Sequence, residues 1–240
     1  TRNRIAAYDT RTGALVDTFR PTVNGQVSAI AATGSTVYLG GSLTAVGGVS
    51  RTRLAAVRAS DGGLLAWAPV PGIGPTSGNR NPTNPGQPGS TATSNDVKAV
   101  VVTGGGSQVV VAGRFDTMNG VKATGVTALD PTTGATRTFE INRLLTNQGV
   151  NSAVWSLSTD GSTVFGTGYD YYGPGNLEGS FAVDAANGRV RWIADCRGDS
   201  YSSFPANGVL YIAHAAGGKL TITVSETDIL DGIALRLARG

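Results

Sequence analysis

The stretch VTALDPTTGATRTF, residues 126–139, reads as a strand, a tight turn and a second strand. Val126–Leu129 is β-prone, and Thr133-Gly134 marks the turn, where glycine supplies the positive φ of a short hairpin. The same phrase recurs as IAAYDTRTGALVDTF at 5–19, LAAVRASDGGLLAW at 54–67 and FAVDAANGRVRW at 181–192. The turns fall at Thr12-Gly13, Asp61-Gly62 and Asn187-Gly188, and an aromatic residue closes every copy: Phe19, Trp67, Phe139 and Trp192.

A second hairpin unit follows each of these. It reads VSAIAATGSTVYLGG at 27–41, VKAVVVTGGGSQVVVAG at 97–113, VWSLSTDGSTVFGTG at 154–168 and YSSFPANGVLYIAH at 201–214. Alternation of period two around regular glycine-containing turns argues for sheet as far as His214. Two hairpins per period make a four-stranded antiparallel unit. Such repeats are the sequence signature of β-propeller blades, whose two apolar faces are buried only by stacking on neighbours. The expected fold is therefore all-β, a β-propeller of about four visible four-stranded blades, either complete or part of a larger propeller. A β-sandwich would satisfy the same turn spacing.

Two segments break the repeat. PGIGPTSGNRNPTNPGQPGSTATS, 71–94, reads as an insertion inside the second blade, either a solvated loop or a binding loop standing on a rigid scaffold. At the end, SETDILDGIALRLARG places Ser225 and Asp228 as a capping-box-like start. Ile229, Leu230, Ile233, Ala234 and Leu237 follow as one apolar face, so a short C-terminal helix protecting an open sheet edge is expected. The organisation expected is blades over 1–218 and a C-terminal strand and helix over 219–240.

Among 240 residues there are 35 glycines, and charged residues make up only 15%, which fits short strands and tight turns. The net charge of +3 is scattered without a basic run, which argues against a nucleic-acid surface. No stretch approaches the ~18–20 apolar residues of a membrane span. Cys196 is the only cysteine, so no disulfide can form within the chain.

No phosphate-binding loop, Gly-x-Ser-x-Gly or His-Glu-x-x-His occurs. A nucleophilic Cys196 would need His214, the only histidine, as its base, and an orphaned thiol is the commoner case. Asp184, Asp195 and Asp199 could offer oxygen ligands to calcium, but they lack the spacing of a calcium loop and read equally as solvated turn carboxylates. GYDYYGPGN, 168–176, carries Tyr169, Tyr171 and Tyr172 on a glycine-rich loop, equipment suited to a sugar ring or a protein hot spot. Trp155 reads as packing between blades.

The stretches VYLGGSLTAVGGVSRTRLAAVRASDGGLLAW, 37–67, and VVVAGRFDTMNGVKATGVTALDPTTGATRTF, 109–139, resemble the repeat of secreted actinobacterial β-propeller proteins, often associated with PKD-type modules. With Asp130, Thr133, Gly134 and the closing aromatic, the hairpins also look like blades of PQQ-type propellers. The resemblance covers residues 4–214 and implies a secreted, extracellular protein. In that family a Trp-x-x-Asp-Cys-His-Gly-Asp-Thr-Tyr-like segment resembles Trp192, Asp195, Cys196, Gly198, Asp199 and Tyr201 here. The family's second cysteine follows a His-Ala-His-like segment; here YIAHAAGGKL keeps His214 and has no cysteine. The resemblance implies that Cys196 is half of a disulfide that is intermolecular or lost.

Two functional expectations follow. One is a non-catalytic binding or scaffold module that recognises a glycan or a protein, with Tyr169, Tyr171, Tyr172, Asp195, Asp199 and His214 as binding candidates. The other is a propeller-type hydrolase or lyase with its site near Asp195, Asp199 and His214. A second chain that completes the propeller is compatible with both.

Overall fold

The structure is a computed structural model that describes residues 2–75, 78–81, 83–84, 87, 89–196, 198–214 and 221–224; for 214 and 221–224 it describes the backbone. The element order is β1 (Val27–Ala32), β2 (Thr36–Gly41), β3 (Ala45–Val46), β4 (Val49–Ser50), β5 (Leu54–Arg58) and β6 (Pro71–Gly72). Next come β7 (Val97–Thr103), β8 (Gln108–Gly113), β9 (Thr117–Met118), β10 (Val121–Lys122), β11 (Val126–Leu129) and β12 (Thr136–Arg137). Then follow β13 (Ser152–Thr159), β14 (Thr163–Asp170), β15 (Gly179–Asp184), β16 (Val190–Asp195), β17 (Ser200–Ala206), β18 (Val209–His214) and β19 (Thr221–Val224). The expected helix after Val224 lies outside the described residues.

Three antiparallel sheets dominate: a first of order β1-β2-β5, a second of order β12-β11-β8-β7 and a third of order β13-β14-β15-β16-β19. The β17-β18 hairpin follows them, and a single bridge between Tyr8 and Leu15 marks the hairpin at 5–19. Strand makes up 44% of the described residues, as the all-β expectation requires, and no closed barrel or ring of sheets is seen among them.

The sheets are phased differently from the reading of the repeat. The first three glycine-rich second units each pair with the aromatic-closed hairpin that follows, through Gly40↔Leu54, Ala112↔Val126 and Gly168↔Gly179. Short links, 42–53, 114–125 and 171–178, allow the next strand to fold straight back as an antiparallel neighbour. Pro71–Gly72 pairs with β9 as β6, and the described residues of 71–94 come after the first sheet and before the second in the chain rather than interrupting either.

Successive sheets stack through their leading strands, β1 on β7, β7 on β13 and β13 on β17. The middle strands are consequently covered on both faces. In β8, Val109 and Val111 join a core with Tyr38, Leu54 and Trp67 of the preceding sheet and its continuation. Val110 and Ala112 join another with Val154, Val164 and Phe181 of the following sheet. An unbroken apolar run such as VVVA is what burial on two faces demands, each valine contributing about 1.5–3 kcal/mol relative to exposure.

The closing aromatics lock sheet to sheet. Phe139 is 1% exposed, and a Cβ added to Gly188, in the turn of the next sheet, would lie 2.6 Å from its Cγ. Trp67 sits likewise against the Gly134 turn and donates from Nε1 to the Asp130 carbonyl at 2.9 Å. Gly188 has φ +73°, so the turn needs glycine both for its backbone and for this close approach. Trp192, at the equivalent place in the third sheet, is only half-buried, because the hairpin beyond it covers less.

That last hairpin presents two different faces. Ser203 faces the third sheet, its Oγ 2.8 Å from that of Ser158. On the other face, Phe204 and Tyr211 pair directly across the strands and are 69% and 62% exposed, with Val209 beside them.

Candidate functional site: a row of bulged side chains

The leading strand of every repeat carries one extra residue near its start. Pairing slips between Val27 and Ala29, between Val97 and Ala99, between Val154 and Ser156, and between Ser200 and Ser202. The bulged residues are thus Ser28, Lys98, Trp155 and Tyr201. A bulge takes a side chain out of the in-out order of its strand and re-aims it, and bulges concentrate beside functional sites.

Stacking of the leading strands brings Lys98, Trp155 and Tyr201 together. Lys98 Nζ lies 5.2 Å from the centroid of the Trp155 ring, and Trp155 meets Tyr201 edge-on with centroids 6.4 Å apart. Tyr169, from β14 beside β13, adds a second edge-on contact to Trp155 at 5.4 Å. Arg114 follows β8 and donates from Nη2 to the Tyr169 hydroxyl at 2.7 Å. Tyr201, 45% exposed, donates its hydroxyl to Asp199 Oδ2 at 2.9 Å. The result is an aromatic surface bordered by cations on one side and a carboxylate on the other.

Electrostatics follow from this crowding. Burial lowers the pKa of Lys98, the Arg114 charge lowers it further, and Asp96 offsets part of the effect. Burial also raises Tyr169, and the bond to Asp199 raises Tyr201, so both hydroxyls stay protonated donors at neutral pH. Burial raises Glu178, assisted by the charges of Asp170, Asp199 and Asp195. These carboxylates do not make a metal centre: among the described residues no group of three His, Cys, Asp or Glu is placed to hold an ion.

Of the residues singled out from sequence, Asp199 borders the surface, and Tyr169, only 9% exposed, backs it through its contact with Trp155. Trp155, assigned to packing, is part of it too, through its contacts with Tyr169 and Tyr201. Tyr171 and Tyr172 form their own edge-on pair at 5.1 Å on the following loop, where Tyr171 is 57% exposed. That loop is tied to the 71–94 segment: the Arg80 N–H donates to the Tyr172 carbonyl at 2.5 Å, and Arg80 lies 3.6 Å from Asp170. Asn79 is buried and Gln148 Nε2 donates to the Pro75 carbonyl at 2.6 Å, so part of this segment is docked rather than solvated.

Asp195 ends β16, opposite Gly179 and Thr221. Asp184 bears a bond from the Ala186 N–H and an ion pair with Arg191 at 3.6 Å, the ordinary duties of a turn carboxylate. His214 ends β18 opposite Ser200, and its side chain lies outside the described residues. Cys196 is a free thiol whose single S–H can donate to the carbonyl of Glu178 at 3.3 Å or of Gly198 at 3.4 Å, in the turn that leads to Tyr201.

Sequence reasoning missed Lys98, Arg114 and Tyr201. For Lys98 and Tyr201 the signal was present: in VSAIA, VKAVV, VWSLS and SYSSF the second residue changes character completely while small or apolar neighbours persist.

No protein-family model matches the chain, and no curated protein matches it significantly. The functional reading rests on the site itself.

Proposed function

We propose that the chain is the repeat region of a secreted β-propeller-type module that binds a glycan without transforming it, using the surface built from Trp155 and Tyr201 and backed by the buried Tyr169. The observation that carries this reading is the bulge row, in which the leading strands of neighbouring sheets aim large side chains at a shared point. Stacked sheets with equivalent leading strands are how propeller blades meet, which supports the architectural part. Aromatic rings give a sugar its apolar contact, and Asp199 and the Tyr201 hydroxyl give hydrogen bonds to its hydroxyl groups.

The test is an oligosaccharide array followed by calorimetry. Trp155→Ala and Tyr201→Ala are each expected to weaken binding about tenfold or more, equivalent to ~1.4 kcal/mol. Tyr8→Ala, an exposed tyrosine on the hairpin at 5–19, should leave it unchanged. Capture of a protein with no sugar binding would replace the glycan reading, and release of new reducing ends would favour the hydrolase or lyase reading.

The uncovered face of β17-β18 supports a second part of the proposal, that a sheet from a second chain stacks there and extends the propeller. The opposite face of the same hairpin already packs in this way, and Phe204, Val209 and Tyr211 offer the apolar surface for a repeat of it. Light scattering should give a dimer that Phe204→Ser with Tyr211→Ser converts to monomer. A monomer in the unsubstituted protein would overturn the two-chain assembly.

A further inference from the structure

The bulge row is unequally charged. Asp96 is shared by two cations, with Oδ1 3.2 Å from Arg53 Nε and Oδ2 3.8 Å from Lys98 Nζ. Arg114 has no ion pair within 4.0 Å among the described residues; its hydrogen-bond partner is the neutral Tyr169 hydroxyl, and its Nε is buried with no acceptor. Lys98 is itself only 16% exposed along its side chain. Asp199, the carboxylate at the other border, is engaged by the Tyr201 hydroxyl.

Partly buried cations gain from an anion that restores their balance, and a guanidinium whose one side-chain partner is a neutral hydroxyl keeps terminal N–H groups for a planar carboxylate. The aromatic wall beside those cations is the surface on which a pyranose ring would lie. We propose that the ligand is a glycan containing uronic-acid residues, its carboxylate held between Lys98 and Arg114 and its ring against Trp155 and Tyr201. This rests on the glycan reading above and names its ligand class.

Nothing is oxidised, cleaved or transferred; binding exchanges water around two cations and one carboxylate for direct contacts. Arg114 would orient the carboxylate plane, Lys98 would add charge without direction, and Asp199 would accept from a ring hydroxyl on the far side. Both cations stand beside Asp96, whose carbonyl accepts from the Arg114 backbone N–H at 2.9 Å and whose Oδ2 lies 3.8 Å from Lys98 Nζ, so one anion can reach both side chains.

The experiment compares oligogalacturonate, oligomannuronate and glucuronic-acid-substituted xylan fragments with the same sugars after reduction of the carboxyl group to an alcohol, beside sulfated oligosaccharides. At least one acid form should bind tenfold or more tightly than its reduced counterpart, and added salt should narrow the gap. Lys98→Met, which keeps an apolar stem over Trp155, and Arg114→Gln should each remove most of that preference. Both variants should retain the unsubstituted protein's circular dichroism spectrum; if Arg114→Gln does not, Lys98→Met decides.

Equal binding of acid and reduced forms would overturn the uronate assignment and leave the glycan reading standing. Preference for the sulfated sugars would overturn the carboxylate. Binding to none of these probes, nor to the neutral array, would overturn both readings.

Discussion

Phe139→Ala is expected to lower the unfolding free energy by about 3–5 kcal/mol, measured by urea denaturation. The ring is 1% exposed and belongs to the core that unites the second and third sheets with Val110, Val154 and Phe181. Truncation removes its transfer free energy and also opens a cavity between two stiff surfaces that cannot collapse onto each other. Domains of this kind are stable by roughly 5–15 kcal/mol, so a loss of this size approaches unfolding. Trp192→Ala, at the equivalent repeat position but half-buried, should cost clearly less. Equal losses at the two positions would mean that the Phe139 contact is not what locks the sheets.

Gly188→Ala is the second large effect, expected at about 2–4 kcal/mol. About 1–2 kcal/mol is the strain of an L residue in the left-handed region. The rest is overpacking, because the added carbon would stand 2.6 Å from Phe139 Cγ and 2.8 Å from the Glu140 nitrogen. Gly13→Ala supplies the control: its φ is +72°, against +73° at Gly188, yet nothing lies within 4 Å of an added Cβ. The difference between the two variants therefore reads the inter-sheet contact alone. Thermal unfolding of both, with Phe139→Ala combined with Gly188→Ala as the third member, would show whether removal of the ring relieves the strain.

These two sites also explain what could be read from sequence. A turn glycine and a closing aromatic in every hairpin are local requirements, and they were visible as a repeated phrase. The reason for their recurrence was not, because Phe139 and Gly188 belong to different hairpins and meet only when sheets stack. The pairing phase was hidden for a similar cause: a hairpin such as VYLGG has apolar-alternating neighbours on both sides in the chain, and only the short link 42–53 selects the following one. Attachment of β19 to the edge of β16 is a long-range pairing with no local mark.

The site was half legible. Tyr169 stood out as a tyrosine beside glycine, but Tyr171 and Tyr172 share its composition and not its position, because the chain leaves β14 after Asp170. Lys98 and Trp155 sat inside apparent β alternation, where a lysine reads as outward and a tryptophan as packing. The bulge changes both assignments at once, and a bulge becomes visible only when the pairing register is known.

The repeated bulge separates what the repeat must conserve from what it is free to vary. Residues 28, 98, 155 and 201 stand outside the two-residue rhythm of their strands, and none of them is among the buried residues of the three cores. Each repeat thereby contributes a single letter to the surface, here serine, lysine, tryptophan and tyrosine in chain order. Recognition written in this way can be respelled one repeat at a time, and Ser28 is the letter at which an aromatic residue would lengthen the word.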